Sequence, residues 1–297
     1  MRILFVASSR IGDAVLSTGL IDHLLRRHPE ARITIVAGPI SADVFARMPN
    51  LERLIVIEKH RYDLHWVRLW GMAVRRRWDL VVDIRGSGLA WFLRARRRAV
   101  MRVRAGPKIA QLGRILGLDP PPLPVVWTAA EDRAVAARLV PPGPPVVALG
   151  PTANWTGKIW PPERFAALFE RLAAGPLGPA RAAILAGPGE AEQALAAPLI
   201  AALPGAIDLA GRLTLPEAAA CLARAALFVG NDSGLMHIAA AAGTPTIGLF
   251  GPTPADEYAP AGRAAVAVRS RTGRMEDLSV EDAAAAALAL LRLPSAA

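Results

Sequence analysis

The sequence predicts an α/β protein with two domains, each built on a parallel β-sheet. Short apolar runs alternate with helical patterns along the chain of 297 residues, and such alternation is typical of βαβ units. Two proline clusters, DPPPLP at 119–124 and PPGPP at 141–145, interrupt this alternation. Because proline clusters form stiff connectors, the two domains are predicted to join near residues 125–145.

The strands are predicted from short apolar runs that are bounded by polar or turn residues. In the first half they are Ile3–Ala7, Ile33–Ala37, Leu54–Ile57, Leu80–Ile84 and Val100–Val103. In the second half they are Val146–Gly150, Ala183–Ala186, Ala226–Val229, Thr246–Phe250 and Ala265–Val268. Open sheets of this kind bind ligands at the carboxyl ends of their strands, so the loops after these runs are the candidate binding segments.

Helices are predicted between the strands from apolar spacing and from end signals. Residues Asp13–Arg27 form one helix, because apolar side chains recur there at helical spacing. That stripe consists of Leu16, Leu20, Ile21, Leu24 and Leu25. PPE at 161–163 begins another helix, since proline is tolerated in a first turn. Ala129–Val140 has a helical pattern, and a capping box at Ser279–Asp282 begins the last helix.

The composition excludes several classes of protein. Hydrophobic residues make up 53% of the chain, which allows a sizeable core. No apolar run reaches the length of about 18 residues that a membrane span needs. The N-terminal apolar run is predicted to be a strand and not a signal peptide. The single cysteine, Cys221, excludes an internal disulfide and a cysteine-based metal cage. We therefore expect a cytoplasmic protein.

The positive charge is concentrated in one stretch. The formal net charge is +10, and the stretch Lys59–Arg114 holds 15 Lys and Arg against 3 Asp and Glu, a local net charge of +12. Four tryptophans, at positions 66, 70, 78 and 91, lie in the same stretch. This pattern fits either a solvated basic surface over core tryptophans or a face for an anionic partner, such as phosphorylated lipid, a membrane surface or nucleic acid.

Two polar segments follow predicted strands and begin helices. In GNDSGLMHIAAAAGTPTIGLFGPT, at 230–253, the residues Asn231–Gly234 precede a helix at about Leu235–Ala242, whose N-terminal amides favour phosphate. His237, one turn in, can reach an anion or a sugar hydroxyl. In SSRIGDAVLSTGL, at 8–20, Asp13 is a candidate general base for a hydroxyl nucleophile. Each segment also has a purely structural interpretation: Asp232 or Ser233 as a helix cap, His237 as a surface residue, and Asp13 as a favourable charge at a helix end.

Two further segments carry candidate ligands for a nucleotide. GPTANWTGKIWPPERF, at 150–165, follows a strand with small and polar residues, Thr152 among them, and contains Lys158, which can neutralise a phosphate. AGPGEAE, at 186–192, is a strand-to-helix turn in which Glu190 can accept hydrogen bonds from two ribose hydroxyls. The alternative for both charged residues is ordinary solvation.

Several familiar motifs are absent from the sequence. It has no G-x-G-x-x-G dinucleotide fingerprint, no phosphate-binding P-loop, no G-x-S-x-G nucleophile elbow and no zinc-ligand spacing. It also has no D-x-D triplet that would hold a divalent metal against a diphosphate. We therefore expect no metal, and expect lysine, helix ends and hydroxyls to neutralise any diphosphate.

Five segments, in order along the chain, carry a family resemblance. They are MRILFVASSRIGDAVLSTGLIDHLLRRHPEARITIVAG at 1–38, DLVVDIRGSG at 79–88, KIWPPERFAALFERLAA at 158–174, LAGPGEAE at 185–192 and LAGRLTLPEAAACLARAALFVGNDSGLMHIAAAAGTPTIGLFGPT at 209–253. Together they resemble the bacterial heptosyltransferase family, glycosyltransferase family nine, which builds the inner core of lipopolysaccharide. The resemblance covers nearly the whole chain, with Arg85 at a position where the family usually has Gln.

The resemblance implies the GT-B arrangement, in which two Rossmann-like domains face a cleft. Residues 1–140 are then the acceptor-binding domain with its linker, residues 141–275 the nucleotide-sugar-binding domain, and residues 276–297 a C-terminal helix that packs back on the first domain. The implied reaction moves a heptose or a related sugar from an ADP-sugar to an anionic lipopolysaccharide-core acceptor, with inversion and without a metal or other cofactor. The implied location is the cytoplasm, peripherally at the inner membrane.

The resemblance also implies roles for individual residues. Asp13 is the expected catalytic base, and Ser9, Arg10 and Gly12 belong to the loop that holds the acceptor. The expected donor-binding residues are Thr152, Lys158, Glu190, Asp232, Ser233, Gly234 and His237. Two other functions stay open: a non-catalytic relative that binds a nucleotide sugar or glycolipid, and a basic nucleic-acid-binding protein. The presence of Asp13 and Lys158 argues against the first, and the lack of a nucleic-acid-binding motif argues against the second.

Overall fold

A computed structural model describes residues 1–58, 64–102 and 105–292 of the chain. The chain divides into two compact units, Met1–Trp127 and Thr128–Ala297. Each unit has helices beside a parallel sheet, which confirms the predicted α/β class. Three predictions fall partly outside the described residues. These are the basic stretch, which begins at Lys59, the predicted strand that ends at Val103, and the predicted C-terminal segment, which includes residues 293–297.

The first unit is built on a parallel sheet with the order β3-β2-β1-β4-β5 in its described part. The strands are β1 Arg2–Val6, β2 Arg32–Ala37, β3 Leu51–Val56, β4 Trp78–Asp83 and β5 Ala95–Val100. The helices are α1 Ile11–Arg27, α2 Leu64–Ala73 and α3 Lys108–Ile115. Because β1 comes first in the chain and lies in the middle of the sheet, the strand order reverses between β1 and β4.

The second unit repeats this plan with the order β11-β10-β9-β6-β7-β8, again parallel. The strands are β6 Val146–Gly150, β7 Arg181–Ile184, β8 Ile207–Asp208, β9 Leu227–Asn231, β10 Thr246–Phe250 and β11 Ala265–Arg269. The helices are α4 Ala130–Leu139, α5 Pro162–Ala173, α6 Glu190–Ala202, α7 Leu215–Leu222, α8 Gly234–Ala241, α9 Ala255–Tyr258 and α10 Val280–Leu291. Here the strand order reverses between β6 and β9.

Helix α1 packs its predicted apolar stripe into the core of the first unit. The stripe residues Leu16, Leu20, Ile21, Leu24 and Leu25 are all buried. Asp13 lies in the first turn and Arg26 and Arg27 in the last, which matches the helix dipole. The predicted helix is confirmed, with its start at Ile11.

Trp160 is a central packing residue of the second unit. Its side chain is fully buried, and its ring meets that of Phe165 edge-on at a centroid distance of 4.9 Å. The indole Nε1 donates a 2.8 Å hydrogen bond to the carbonyl oxygen of Leu278, just before α10. The loop after β6 is therefore fixed to the chain that leads into the last helix.

The C-terminal helix α10 is part of the second unit and packs into its core. Its buried residues Ala283, Ala284 and Ala287 lie in the same apolar cluster as Trp160, and α10 packs against α5, β10 and β11. Half of the predicted capping box is present at its start: Ser279 Oγ accepts from the amide of Asp282 at 3.1 Å, and the same hydroxyl donates to the Asp282 carboxylate at 2.8 Å.

The two compact units meet at Trp127–Thr128. Helix α4 packs against α7 of the second unit. Arg224 Nε also donates a 2.7 Å hydrogen bond to the carbonyl oxygen of Val140. The segment between the two proline clusters is therefore part of the second unit, although its sequence resembles a connector.

Two edge strands differ from the prediction. Strand β5 covers Ala95–Val100, including three successive arginines that are exposed, where the sequence predicted Val100–Val103. Strand β8, with only two residues, was not predicted. Both strands lie at the end of their sheet. An edge strand tolerates charge and short length, so neither needs the apolar run on which the prediction relied.

Cys221 lies buried on α7, and its environment makes the thiol unreactive. Burial and, to a smaller extent, the nearby carboxylate of Glu217 raise the pKa of Cys221 to about 11. The thiol therefore stays protonated at neutral pH and is not a nucleophile.

Gly19→Ala is expected to destabilise the protein although alanine favours helices. A Cβ at Gly19 would lie 2.5 Å from the carbonyl oxygen of Pro122 and 2.6 Å from that of Leu123. This segment is held close to α1, because the amide of Val125 donates a 2.9 Å hydrogen bond to Thr18 Oγ1. We expect the free energy of unfolding, measured by urea denaturation, to fall by about 1–3 kcal/mol, the usual effect of overpacking.

Gly71→Ala is the matched control for this prediction. An added Cβ at Gly71, within α2, would meet no heavy atom within 4 Å, so the helix propensity of alanine should raise the free energy of unfolding by about 0.5–1 kcal/mol. If Gly19→Ala stabilised the protein to the same extent, the close contact between α1 and residues 122–125 would be wrong.

Candidate active site

The first unit has a cavity where its strand order reverses. The loop after β1 and the loop after β4 meet there at the carboxyl ends of neighbouring strands, the usual ligand position in open α/β sheets. The cavity has a volume of about 240 Å³. Its lining residues are Ser8, Ser9, Arg10, Asp13, Ile84, Arg85, Lys108 and Leu112. The structure thus brings three of the predicted residues, Ser9, Arg10 and Asp13, to one cavity.

Among the described residues that line this cavity, Asp13 alone carries a carboxylate. It lies in the first turn of α1 and is half-buried. Ser8 Oγ lies 3.4 Å from Asp13 Oδ2 as a hydrogen-bond donor, and the amide of Arg10 donates to the same hydroxyl at 3.2 Å. The bond to Asp13 is long, so Ser8 orients the carboxylate only weakly.

A buried carboxylate shapes the opposite wall of the cavity. Asp83, at the end of β4, accepts hydrogen bonds from the amides of Arg85, Gly86 and Ser87 at 2.9, 3.1 and 3.0 Å. Ser87 Oγ adds a fourth at 2.7 Å. The Arg85 guanidinium carbon lies 4.8 Å from the ring centroid of Trp66. The DIRGSG segment therefore folds into a fixed loop that presents Arg85 to the cavity.

Sequence reasoning did not identify two of the cationic residues of this cavity, Arg85 and Lys108. Lys108 begins α3, the helix that follows β5, and the signal that could have found it is its place after a strand of the same sheet. Gly12 lies in the first turn of α1, and it is not among the described residues that line the cavity. With Arg10, Arg85 and Lys108 around one carboxylate, the cavity suits an anionic ligand that carries a hydroxyl group.

The second unit has an ion pair where its own strand order reverses. Lys158 ends a 3₁₀ turn after β6, and Asp232 follows β9, the neighbouring strand. Lys158 Nζ lies 2.6 Å from Asp232 Oδ2, with side chains that are 22% and 10% exposed. The structure therefore joins two predicted site residues that are far apart in sequence.

Asn231 holds the two loops of this ion pair together. Its side chain is completely buried. Asn231 Nδ2 donates to the carbonyl oxygen of Pro151 at 2.8 Å, and its Oδ1 accepts from the amide of Trp160 at 3.0 Å. Asn231 thus positions the loop that carries Lys158, a role that sequence reasoning had not assigned to it.

The N-terminus of α8 opens beside the ion pair. Ser233 occupies the cap position, but its side chain makes no capping hydrogen bond. Its Oγ is buried and has no hydrogen-bond partner among the described residues. Gly234 begins the helix, and His237 is buried one turn later. The interpretations of Ser233 as a plain cap and of His237 as a surface residue are therefore wrong.

Thr152 and Glu190 lie at the same edge of the sheet. Thr152 is buried in the loop after β6, the loop that also carries Lys158. Glu190 is exposed and begins α6, which follows β7, the strand next to β6. Among the residues that the structure describes, no group of three or more His, Cys, Asp and Glu side chains could hold a metal ion.

This fold is that of known two-domain GT-B transferases. The Escherichia coli ADP-heptose LPS heptosyltransferase II matches with a TM-score of 0.78 over 98% of both chains, at 21% identity. A glycosyltransferase of family 9 from Veillonella parvula DSM 2008 matches with a TM-score of 0.82, over 98% of this chain and 97% of the other, at 21% identity.

Sequence comparison identifies the family. The lipopolysaccharide heptosyltransferase 3 of Escherichia coli is 35% identical over 281 residues, which cover 82% of this chain and 81% of that protein. The model of glycosyltransferase family 9 (heptosyltransferase) matches residues 95–287. The chain belongs to glycosyltransferase family 9, and the resemblance found in its sequence motifs is confirmed.

Lys158→Ala is expected to lower the free energy of unfolding by about 1–3 kcal/mol, because a nearly buried carboxylate loses its charged partner. Asp232→Asn should have a smaller effect, since the Lys158 side chain is the more exposed of the two. The double variant should be more stable than the sum of the two single effects predicts, because each single change removes the same interaction. Urea denaturation measures all three free energies.

Arg212→Ala serves as the control for an exposed ion pair. Arg212 and Asp208 are 2.8 Å apart, but their side chains are 62% and 31% exposed, so we expect a change below about 0.5 kcal/mol. Additive effects of Lys158→Ala and Asp232→Asn would contradict the close pair.

Proposed function

We propose that the protein transfers a heptose or a related sugar from an ADP-sugar to an acceptor in the core of lipopolysaccharide. Membership of glycosyltransferase family 9 supports this reaction class. The E. coli protein that shares its fold is named an ADP-heptose LPS heptosyltransferase. The observation that carries the proposal is the position of Asp13, a carboxylate in a cavity whose other charged lining residues are cations.

The acceptor is proposed to bind in the cavity of the first unit. Arg10, Arg85 and Lys108 attract the phosphate or carboxylate groups of an acidic glycolipid. Ser9 adds a hydroxyl for hydrogen bonds, and Gly12, which has no side chain, leaves space for the acceptor beside the first turn of α1. The acceptor hydroxyl then lies against Asp13, where a carboxylate is able to take its proton.

The donor is proposed to bind at the edge of the second unit. The diphosphate lies at the N-terminus of α8, where the amides and the buried hydroxyl of Ser233 donate to it. Gly234 allows close approach, and Lys158 supplies a positive charge. The sugar and the ribose are proposed to contact the remaining predicted residues, Asp232, His237, Thr152 and Glu190.

The proposed chemistry is a single displacement at the anomeric carbon. The acceptor oxygen forms a bond to that carbon as the bond from the carbon to the β-phosphate oxygen breaks. The acceptor proton passes to the Asp13 carboxylate, and the electron pair of the broken bond leaves with ADP. Attack from the side opposite the diphosphate inverts the anomeric configuration. Because Lys158 and the helix N-terminus neutralise the leaving diphosphate, we propose that no divalent metal is required.

The protein is proposed to work in the cytoplasm, attached peripherally to the inner membrane. In the part of the chain that the structure describes, no helix is long and apolar enough to cross a membrane. The support for membrane attachment is the net charge of +12 between Lys59 and Arg114, which suits an anionic bilayer surface.

ADP is expected to bind equally well with EDTA and with Mg²⁺, and Lys158→Ala should weaken binding by about 1–3 kcal/mol because a charged hydrogen bond to phosphate is lost. Isothermal titration calorimetry measures both effects, with Arg212→Ala as the control that removes an exposed cation from the same unit. ADP binding that depends on Mg²⁺, or that is unchanged in Lys158→Ala, would contradict the proposed donor site.

Asp13→Asn is expected to reduce the rate of transfer at least about 100-fold at saturating donor and acceptor, because the general base is lost. The amide has nearly the same shape as the carboxylate, and the effect of the charge on helix stability is small, about 0.3–1 kcal/mol. The melting temperature and the affinity for ADP should therefore stay close to those of the wild type. A turnover assay, a thermal scan and calorimetry measure the three quantities.

Asp22→Asn removes a carboxylate from the same helix and should keep its full rate. Asp22 pairs with Arg26 at 2.8 Å on the surface of α1. If Asp13→Asn kept more than about a tenth of the wild-type rate, Asp13 would be a structural charge and not the base. If the wild type bound ADP but transferred no sugar, the protein would be a non-catalytic nucleotide-sugar-binding relative.

A further inference from the structure

The first unit exposes large aromatic side chains at one place. Trp91 and Phe92 follow one another at the end of a 3₁₀ turn, Leu89–Phe92, and are 64% and 73% exposed. Trp70, on the neighbouring helix α2, is 43% exposed. A cluster of exposed rings is uncommon on a protein surface and marks an interaction site.

The turn that carries these rings is firmly anchored. Leu89, Ala90 and Leu93 are buried in the apolar core of the first unit. Trp70 Nε1 donates a 3.1 Å hydrogen bond to the carbonyl oxygen of Phe92, which joins α2 to the turn. The exposed rings therefore stand on a fixed base, and their exposure is a property of the fold.

Helix α2 continues the apolar surface beside the turn. Its inner side packs through Leu69 and Ala73, which are buried. Its outer side carries Val67, which is 63% exposed, next to Trp70. The solvent-facing side of the helix therefore presents two large apolar side chains beside the exposed Arg68, where a surface helix of a soluble protein usually carries mainly polar residues.

Exposed arginines follow the rings along the chain. Arg94, Arg96 and Arg97 are exposed at the edge strand β5 and just before it. Arg98 donates 2.8 Å hydrogen bonds to the carbonyl oxygens of Ala90 and Leu93, and its guanidinium lies 5.9 Å from the ring centroid of Trp91. Arg98 therefore fixes the turn and keeps a positive charge beside the ring.

A second cavity, of about 320 Å³, lies beside Trp91. Its lining residues include Trp91, Arg98, Arg102, Gln111, Arg114 and Ile115, and among the described residues that line it there is no carboxylate. It uses a different side of α3 from the Asp13 cavity, which is lined by Lys108 and Leu112. Three arginines around a small cavity whose described lining has no carboxylate suit one phosphate group.

We propose that this aromatic–arginine face docks on a bilayer that contains anionic phospholipid. The face comprises Val67, Trp70, Trp91, Phe92, Arg94, Arg96, Arg97, Arg98, Arg102 and Arg114. The rings enter the interfacial layer, where aromatic side chains are favoured, and the cavity takes the phosphate of one headgroup. The inference rests on the proposed function in so far as the acceptor is a lipid of that bilayer.

Two features favour lipid over nucleic acid. The exposed apolar set includes the aliphatic side chain of Val67, which stacks on no base. The arginines of the cavity surround one compact, half-open space, whereas single-stranded nucleic acid is bound along an extended positive groove.

The test is co-sedimentation of the full chain with vesicles that contain phosphatidylglycerol and phosphatidylcholine, at low salt. Trp91→Ser/Phe92→Ser should reduce the partition coefficient at least about tenfold, because the rings no longer enter the interface. Arg102→Gln/Arg114→Gln should reduce it about 20–30-fold, at roughly a fivefold loss for each charge near an anionic surface. Both variants should keep the wild-type melting temperature within a few degrees.

The matched controls change the same residue types in the second unit. Trp155→Ser removes a tryptophan that is 54% exposed, and Arg138→Gln/Arg263→Gln removes two exposed arginines. Both should partition within about twofold of the wild type, because the loss belongs to the face and not to overall charge or hydrophobicity. An equal loss in the controls would overturn the proposed face.

Three other results would overturn it as well. The first is a partition coefficient of Trp91→Ser/Phe92→Ser equal to that of the wild type. The second is equal binding of the wild type to vesicles of phosphatidylcholine alone. The third is release of the protein from the vesicles by short single-stranded DNA, where binding of that DNA is weakened by the same substitutions in the face. Transfer of sugar to a water-soluble acceptor fragment separates this proposal from the proposed function. If the wild type binds the vesicles but transfers no sugar, only the proposed function is contradicted. If it transfers sugar but does not bind the vesicles, only the docking proposal is contradicted.

Discussion

Both units depend on one constraint, the central position of their first strand in a parallel sheet. Strand β1 pairs with β2 on one side and with β4 on the other, and β6 pairs with β7 and β9. The chain must therefore leave the first strand in one direction and return later on its other side. In each unit, the loops at the carboxyl ends of the two central strands diverge at this point and leave a space between them. Asp13 and its neighbouring cations lie at this space in the first unit, and Lys158 and Asp232 lie at it in the second.

Much of this arrangement was predictable from local sequence, because buried parallel strands are short apolar runs. The strands β6 and β10 have the predicted bounds, and α1 buries the predicted stripe. Position after a strand was also sufficient to select Asp13, Lys158 and Asp232 as candidates. The rule works because the carboxyl ends of parallel strands share one edge, whatever the order in which the strands are arranged.

The rest depended on contacts between distant residues. Asn231 ties Pro151 to Trp160 from another strand, and no local pattern shows that its amide is used in this way. Arg98 resembled a solvated charge in an arginine run, but it holds the turn at Ala90. The last helix had an apolar side that fits any apolar surface, so its pattern did not determine that it would pack on α5.

In the proposed donor site, the ion pair between Lys158 and Asp232 keeps the ammonium in position for an anion. A lysine side chain has many rotamers, and fixing it on binding costs free energy. Asp232 fixes Lys158 before any ligand arrives, and Asn231 fixes the loop beneath it. Under the proposed donor binding, a diphosphate at the N-terminus of α8 exchanges one anionic partner of the ammonium for another, so the charge is never left without a partner. The carboxylate that it displaces can then accept hydrogen bonds from sugar hydroxyls, so the proposal makes recognition of the sugar depend on prior capture of the phosphate.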